Sequence, residues 1–179
     1  TAGCQQIHLR QGVYKPVAPA NPAAVTDAER RASFAITRPL QLLGGFTGNA
    51  AAPDERVLKA RNTVLSGDLG GDDTGADASG GITEGLYKTV AGWSNNSYHV
   101  VTIGGLNSSA SVGSPYTADD TLPSYTLIEG VTITGGYAQT SGASSHPDYS
   151  GGGLFCNGAG AGSVCSPRIR HVYFTGNQA

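Results

Sequence analysis

One short phrase recurs along this chain and constrains its fold more than any other feature. Residues 128–136 (IEGVTITGG) align position by position with residues 169–177 (IRHVYFTGN). Shorter copies of the phrase end at Gly44-Gly45 and Gly104-Gly105. Apolar and polar residues alternate around a sharp corner, which is the period of short β-strands rather than of a helix. Strand–corner–strand units that repeat in this way predict a solenoid.

The spacing of these copies favours one kind of solenoid. They follow one another at unequal intervals, at Gly44-Gly45, Gly104-Gly105, Gly135-Gly136 and Gly176-Asn177, and the first interval is nearly twice the second. Solenoids with a strict short period do not vary in this way, whereas a loop inserted at a corner costs only about 0.6 kcal/mol per doubling of its length. We therefore expect a three-sided coil with long corner loops, in which Val131 and Val172 stack on one inner wall.

Composition agrees with an all-β chain and argues against two classes of partner. Glycine accounts for 27 of the 179 residues, and charged residues make up 13% where about 25% is usual. The net charge of −2 argues against binding to nucleic acid or to an anionic membrane surface, both of which need clustered Lys and Arg. No apolar run reaches the roughly 20 residues of a membrane-spanning helix, so we predict no membrane span within this chain.

We interpret residues 1–179 as a single domain interrupted by polar segments. Residues 1–14 are predicted to form an opening strand and cap. Four segments are predicted to be loop excursions from the strands: 15–32, 70–96, 107–124 and 138–150. Within the first of them, Thr26 stands three residues before Glu29, a spacing that predicts a capped helical turn.

Two of the three cysteines are predicted to form a local disulfide. Cys156 and Cys165 flank a glycine-rich loop, and closing so small a loop is worth about 2–3 kcal/mol. No histidine stands nearby in the spacing of zinc ligands, so a metal site is the weaker interpretation. A bridged pair implies an oxidising compartment and therefore export. The sequence leaves open whether Cys4 is free, paired or lipidated.

Acidic residues cluster in two loops. Asp68, Asp72, Asp73 and Asp77 belong to one loop, and Asp119-Asp120 to another. Ca²⁺ takes carboxylate oxygens as ligands, but these carboxylates lie within one loop rather than at matching positions of successive coils. We therefore interpret them as solvated loop acids and predict neither metal ligands nor a cofactor, with Ca²⁺ as the alternative.

No arrangement typical of a catalytic site occurs in the strands. Glycoside hydrolases need paired carboxylates at a fixed separation, but Glu129 is the only acid inside a strand unit, and its repeat counterpart is Arg170. His99 and His171 precede valines at equivalent positions without a nucleophile in a known spacing. We interpret both as surface or corner hydrogen-bonding groups, and we predict no catalytic residues.

Most aromatic residues fall in loops or at strand ends. Exposed rings among polar side chains can stack on sugars, or each ring can anchor its own loop to the body of the protein. We favour anchoring for this set, which comprises Trp93, Tyr87, Tyr98, Tyr116, Tyr125, Tyr137 and Tyr149. The residues that bind a ligand are not predicted.

An ordered set of phrases gives the chain a family resemblance. The phrases are residues 7–16 (IHLRQGVYKP), 43–48 (LGGFTG), 63–68 (TVLSGD), 97–101 (SYHVV), 130–138 (GVTITGGYA), 151–156 (GGGLFC) and 174–179 (FTGNQA). In this order they resemble secreted bacterial right-handed parallel β-helix proteins with a pectin-lyase-like fold, which are surface proteins related to polymorphic outer-membrane proteins. The chain departs from that family in length, since such proteins usually continue for many more coils.

The resemblance implies a fold, a location and a class of function. The fold is an all-β, right-handed parallel β-helix solenoid with three strands per coil and long corner loops. The function is that of an exported, non-enzymatic cell-surface or extracellular structural protein or adhesin, whose loops bind an unidentified surface glycan or protein. Two alternatives remain: a subunit that stacks end to end into an extracellular filament, and a polysaccharide lyase or glycoside hydrolase.

Overall fold

A computed structural model describes residues 5–58, 62–73, 92–104, 126–138, 147–156 and 165–179. Within these residues the chain forms short β-strands and one four-residue α-helix, α1 (Asp27–Arg30). The strands are β1 (Gln6–Arg10), β2 (Gly12–Tyr14), β3 (Phe34–Ile36), β4 (Gln41–Phe46), β5 (Thr63–Ser66), β6 (Val101–Ile103), β7 (Leu127–Glu129), β8 (Thr132–Thr134), β9 (Leu154–Cys156), β10 (Arg168–Arg170) and β11 (Tyr173–Phe174). Single 3₁₀ turns lie at Pro22–Ala24, Trp93–Asn95 and Pro147–Tyr149.

The strands form three sheets, and each sheet takes every third strand of the chain. The orders are β1-β4-β7-β10 in the first sheet, β2-β5-β8-β11 in the second and β3-β6-β9 in the third. Every pairing between these strands is parallel. These sheets confirm the prediction that the chain is mostly β-structure built from parallel strands.

Equivalent side chains stand side by side across each sheet. In the first sheet Leu42 pairs with Ile128, and in the second Leu65 pairs with Ile133. In the third sheet Ile103 occupies the same central position between β3 and β9. All five side chains are buried, and they belong to one apolar core cluster. One core cluster is therefore built from buried aliphatic side chains that all three sheets contribute.

The alignment of the last two copies of the phrase predicts the pairing of the last strands correctly. Ile128 pairs with Ile169, and Ile133 pairs with Phe174, so the sequence alignment and the strand register coincide. Val131 is buried in the core cluster, and Val172 packs against that cluster. No antiparallel pairing joins the two segments among the strands that the structure describes.

The earlier Gly-Gly copies do not occupy equivalent positions, so this part of the sequence alignment is wrong. Gly44-Gly45 lies within β4 of the first sheet, whereas Gly104 follows β6 of the third sheet and Gly135 follows β8 of the second. The true register of the first sheet runs through Ile7, Leu42, Ile128 and Ile169. The intervals between the earlier Gly-Gly copies are therefore not repeat lengths.

These glycines have a packing role instead. A Cβ added to Gly44 would lie 2.3 Å from the Gly130 carbonyl oxygen, and one added to Gly136 would lie 1.9 Å from the Gly152 oxygen. Side chains cannot be accommodated at such distances, because two backbone segments meet there. Gly44 and Gly136 therefore allow close backbone contacts, although one lies within β4 of the first sheet and the other follows β8 of the second.

The predicted helical turn in the first loop is confirmed. Thr26 precedes α1, its hydroxyl accepts a hydrogen bond from the Glu29 backbone N–H, and the Glu29 carboxylate accepts one from the Thr26 N–H at 2.7 Å. This reciprocal pair is a capping box, which satisfies two otherwise unpaired backbone donors. In the described part of the chain no helix is long and apolar enough to cross a membrane.

Candidate functional site

Three carboxylates converge where the chain leaves the second sheet after β5. Asp68, Asp72 and Asp73 each place a carboxylate oxygen within 4.8 Å of the others. Asp68 and Asp73 are half-buried, and Asp72 is exposed. Asp72 agrees with the interpretation as a solvated loop acid, whereas Asp68 and Asp73 are less exposed to solvent than that interpretation implies. Asp77, Asp119 and Asp120 lie outside the described residues.

Local backbone contacts fold the loop around the first carboxylate. The Gly67 N–H donates to the Thr134 carbonyl oxygen at 2.8 Å, which fixes the loop to the neighbouring strand β8. One Asp68 oxygen then accepts hydrogen bonds from the N–H groups of Gly71 at 2.6 Å and Asp72 at 3.3 Å. This turn brings the Asp72 and Asp73 side chains back towards Asp68.

Two asparagines from a distant segment complete the group, which we call the acidic cluster: Asp68, Asp72, Asp73, Asn95 and Asn96. The amide nitrogen of Asn95 donates to Asp72 at 2.9 Å, and that of Asn96 donates to Asp73 at 2.8 Å. Ser97 follows them, and its N–H donates to the Gly67 carbonyl oxygen at 2.8 Å. An Asp-Asp pair thus meets an Asn-Asn pair 23 residues further along the chain.

Burial and like charge change the acidity of the most enclosed carboxyl. Burial raises the pKa of Asp73 to about 6, and the Asp68 and Asp72 charges act in the same direction. The Asn96 hydrogen bond and the Lys15 ammonium oppose this rise. Lys15 lies beside the loop, since its ammonium would be 3.3 Å from a Cβ added to Gly71. Three carboxylates therefore share a small volume, and Lys15 is the cation that acts on Asp73 among the residues that the structure describes.

Glu129 occupies a different environment, between two arginines. Its Oε2 lies 2.9 Å from Nη1 of Arg56, and its Oε1 lies 3.4 Å from Nε of Arg170. Arg56 also donates to the Gly44 carbonyl oxygen through Nε and Nη2. Glu129 is only 7% exposed. Both carboxylate oxygens are thus in ion pairs that join β7 to β10 and to the segment after β4.

The two histidines differ in their surroundings. His99 is 1% exposed, so of the two expected roles, surface or corner hydrogen bonding, it does not have the surface one, whereas His171 is exposed with a backbone φ of 49°. The His99 Nδ1 lies 3.2 Å from the Gly151 carbonyl oxygen, and its Nε2 lies 3.8 Å from Asp148. The His99 ring also packs against Phe155 at 4.9 Å between centroids. These contacts tie the Pro147–Tyr149 turn to the third sheet.

Three residues of the aromatic set, Trp93, Tyr98 and Tyr137, pack against neighbouring elements. Trp93 lies 5.6 Å from Tyr137 between ring centroids, which joins the turn beside the acidic cluster to the segment after β8. Tyr98 is 3% exposed, and Arg30 of α1 stacks over its ring at 4.0 Å. Both contacts agree with anchoring. Tyr87, Tyr116 and Tyr125 lie outside the described residues.

The predicted disulfide is present. Cys156 at the end of β9 is bonded to Cys165, with 5.8 Å between their Cα atoms. Both residues pack against the apolar core cluster. The bond therefore ties the third sheet to the segment that leads into β10. Cys4 lies outside the described residues.

No protein-family model, curated protein or solved structure matches this chain.

The sequence indicates the aspartate half of the acidic cluster but not the asparagine half. The proximity of Asp72 and Asp73 follows from their adjacency, but nothing local indicates that Asn95-Asn96 folds back onto them. Asn95 stands out in the sequence only as part of an Asn-x-Ser acceptor motif. The pairing depends on where the 3₁₀ turn at Trp93–Asn95 packs, which is a property of the tertiary structure.

Proposed function

We propose that this chain is part of an exported, non-enzymatic scaffold of the right-handed parallel β-helix type, which presents binding loops at a bacterial cell surface. One observation carries the proposal: each of the three sheets takes every third strand, always in parallel. In a parallel β-helix the chain passes through three sheets in turn and then returns beside its earlier strand. Each coil therefore adds one strand to each sheet. Right-handed crossovers are the rule for parallel strands.

The disulfide supports export. Disulfides persist in oxidising compartments and are rare in the cytosol, and Cys156–Cys165 joins two segments that pack against the core. Export and the family resemblance in the sequence both favour a secreted surface protein of the pectin-lyase-like type.

The predicted loops are the proposed contact surfaces. They leave the ends of short, regularly paired strands, and loops on a rigid scaffold commonly carry binding residues. Segments 70–96, 107–124 and 138–150 together contain many Ser, Thr, Asn and Tyr residues, which suit hydrogen bonding to polar ligands such as glycans.

A binding and depolymerisation assay tests this function. The chain is applied to arrays of bacterial and extracellular-matrix polysaccharides, and soluble products are measured from the same samples, with and without Ca²⁺. We expect saturable binding without product release, and weaker binding when residues 107–124 are replaced by a short Gly-Ser linker. Release of oligosaccharides that is abolished by Glu129→Gln would instead identify a lyase or hydrolase.

The ion pairs of Glu129 argue against that enzymatic alternative. A catalytic acid must be able to exchange a proton with its substrate, whereas both Glu129 oxygens are occupied by Arg56 and Arg170. The side chain is also 7% exposed, which leaves little surface for contact with a polysaccharide.

A second candidate function is end-to-end stacking into a filament. Exposed apolar residues lie on the outermost strands of the first two sheets: Ile7 and Val13 at one edge, and Ile169, Tyr173 and Phe174 at the other. Open parallel edges with apolar side chains can template the addition of another strand. A second copy placed with its β1 beside β10 would continue the column of Ile7, Leu42, Ile128 and Ile169.

Sedimentation velocity over a concentration series tests stacking. If copies stack, the wild-type chain forms species larger than a monomer, and Phe174→Asp or Val13→Asp returns it to the monomer. Leu58→Asp is the control, because Leu58 is 42% exposed but lies outside the strands. A wild-type chain that remains monomeric at high concentration contradicts stacking and leaves the scaffold proposal untouched.

A further inference from the structure

We propose that the acidic cluster is a calcium site, in which the carboxylates of Asp68, Asp72 and Asp73 and the side-chain amides of Asn95 and Asn96 supply the ligands. The proposal does not depend on the scaffold function proposed above. It rests on two independent observations, the convergence of three carboxylates and the presence of buried side-chain oxygens that have no partner among the described residues.

The first observation is the concentration of negative charge. Three carboxylates place oxygens within 4.8 Å of one another, and Lys15 is the cation that acts on Asp73. Like charges this close repel each other, and the repulsion grows where solvent is partly excluded, as at Asp73. A divalent cation among these oxygens would convert the repulsion into attraction.

The second observation is a set of buried oxygens without a hydrogen-bond partner. Asn96 is 0% exposed, its side chain reaches the Asp73 carboxylate, and its amide oxygen has no partner among the described residues. The amide oxygen of Asn95 and Oδ1 of Asp73 are likewise buried and unpartnered in that part of the chain. A buried acceptor left unsatisfied costs about 1–3 kcal/mol, so three at one place indicate a missing ligand.

A rotation of the two amides would bring their oxygens to the carboxylates. Each amide nitrogen now donates to an aspartate, and a half-turn about the terminal torsion exchanges the positions of the amide nitrogen and oxygen. Asn95 and Asn96 can therefore donate hydrogen bonds to the carboxylates when no cation is bound, and can turn their amide oxygens towards a cation when one is bound. Three carboxylates and two amides would give five protein ligands, and water would complete the shell of about 6–8 oxygens that Ca²⁺ takes.

The ligand types select calcium over other common metals. The cluster offers only oxygen atoms, whereas zinc sites use Cys and His. Mg²⁺ keeps several waters and uses one or two carboxylates in a strict octahedron. A site with three carboxylates and two amides from separate segments fits the larger and more flexible shell of Ca²⁺.

Two glycines have no side chain where the acidic cluster lies, and so make room for its side chains. A Cβ added to Gly70 would lie 2.4 Å from the Asn95 amide nitrogen and 2.5 Å from an Asp72 carboxylate oxygen. A Cβ added to Gly92, whose φ is 109°, would lie 3.1 Å from the same Asp72 oxygen. A side chain at Gly70 would therefore occupy the position of the ligand atoms.

Calcium would join the two ends of one predicted binding loop. Residues 68–73 and 95–96 flank segment 74–91 in the sequence, and the five ligands come from both sides of it. Bound Ca²⁺ would thus fix the distance between the two ends of this segment.

Terbium luminescence tests the site directly. Trp93 is the single tryptophan of the chain and stands two residues before Asn95, so it can transfer excitation to Tb³⁺ bound at the cluster. We expect saturable Trp-sensitised Tb³⁺ emission from the wild-type chain and its displacement by Ca²⁺. Extracellular calcium modules bind with dissociation constants of about 10⁻⁴–10⁻³ M, so the titration should extend to about 10 mM Ca²⁺.

A matched pair of variants separates the site from general surface charge. Asp72→Asn removes one proposed ligand at an exposed position where folding is not at risk, and Asp54→Asn removes one exposed carboxylate elsewhere. Because the number of charged ligands sets calcium affinity, we expect Asp72→Asn to weaken binding about tenfold or more and Asp54→Asn to change it less than about twofold. Calorimetric titration with Ca²⁺ alone measures both variants without the probe.

Thermal melting provides a second measurement. A ligand that binds only the folded chain raises its melting temperature by mass action, so Ca²⁺ should raise that of the wild type and of Asp54→Asn equally and that of Asp72→Asn by less. Equal affinities for the two variants, or no saturable binding up to about 10 mM Ca²⁺, would overturn the proposal. Displacement of Tb³⁺ by Mg²⁺ as effective as that by Ca²⁺ would also overturn it, in favour of a nonselective acidic patch.

Discussion

Leu65 and Ile133 lie side by side in the second sheet, and neither side chain has exposed surface. Tyr14 continues this column on one side and Phe174 on the other, and Phe174 is 47% exposed. Tyr14 and Phe174 therefore shield Leu65 and Ile133 from solvent at the two ends of the column. Stability should depend steeply on the position of a residue along such a column.

Ile133→Asp should prevent folding. Ile133 is 0% exposed, and an aspartate there would place an unpaired charge among aliphatic side chains, which is strongly destabilising. The conservative Ile133→Ala should fold and lose about 2–5 kcal/mol of unfolding free energy, because it leaves a cavity. Urea denaturation followed by far-UV circular dichroism measures both.

Phe174→Ala is the matched control in the same column. Its ring is 47% exposed, so we expect a smaller loss of unfolding free energy than for Ile133→Ala, although the removed group is larger. Equal losses at the two positions would mean that the column does not have the buried centre described here.

Arg56→Ala should destabilise the fold more than Arg170→Ala. Arg56 binds Glu129 at 2.9 Å and the Gly44 carbonyl oxygen through two nitrogens, whereas the Arg170 side chain is 63% exposed and lies 3.4 Å from Glu129. We expect a loss of about 1–3 kcal/mol for Arg56→Ala and less than about 1 kcal/mol for Arg170→Ala. Thermal or urea unfolding of the two variants gives the comparison, and a reversed order would contradict it.

The features that can be predicted from the sequence depend on local alternation and on one good repeat. The alignment of residues 128–136 with residues 169–177 predicts the register of Ile128 with Ile169 and of Ile133 with Phe174, because both copies keep the same strand, corner and strand. The capping box at Thr26 and the disulfide Cys156–Cys165 are also predictable, since each depends on residues that lie close together in the chain.

Features that depend on contacts between distant segments are not predictable in this way. Gly44-Gly45 and Gly135-Gly136 look alike in sequence because both lie at tight backbone contacts, yet they belong to different sheets. Asn96 reaches Asp73 only because its turn packs beside the loop after β5. The sequence pattern does not distinguish a surface from a corner position for His99, and its burial against Phe155 follows from the packing of the third sheet.

Reduction of the disulfide should destabilise the folded chain without abolishing it. Cys156 and Cys165 are nine positions apart, and the entropy of closing so small a loop corresponds to about 2–3 kcal/mol. Urea denaturation with and without a reductant measures this difference, and a Cys156→Ala/Cys165→Ala double variant should show no effect of the reductant. Cys4→Ala is the control that should respond as the wild type does.

The hydroxyl of Tyr98 and the carboxylate of Asp27 are hydrogen-bonded between the third-sheet segment and α1. The hydrogen bond from Tyr98 is the main reason why the pKa of Asp27 lies below its ordinary value of 3.8. Burial, and then the same bond, raises the pKa of Tyr98 to about 12. The stability linked to Asp27 is thus present above pH 3.8 and lost as the pH falls through the lowered value, while that linked to Tyr98 is present below pH 10 and lost as the pH rises towards 12.

Tyr98→Phe should reduce the dependence of stability on acid pH that is linked to Asp27, and should remove the alkaline dependence that is linked to Tyr98 itself. At neutral pH we expect a loss of about 1–2 kcal/mol, because the Asp27 carboxylate and the Arg30 guanidinium each lose a hydrogen-bond partner. The unfolding free energy of the variant should then fall less steeply than that of the wild type below about pH 4 and above about pH 10.

Tyr14→Phe is the control, since the Tyr14 hydroxyl donates to the Arg10 carbonyl oxygen and does not contact Asp27. Urea denaturation across about pH 2–11 measures all three chains, and parallel curves for Tyr98→Phe and the wild type would show that the Asp27–Tyr98 bond is not the source of the pH dependence.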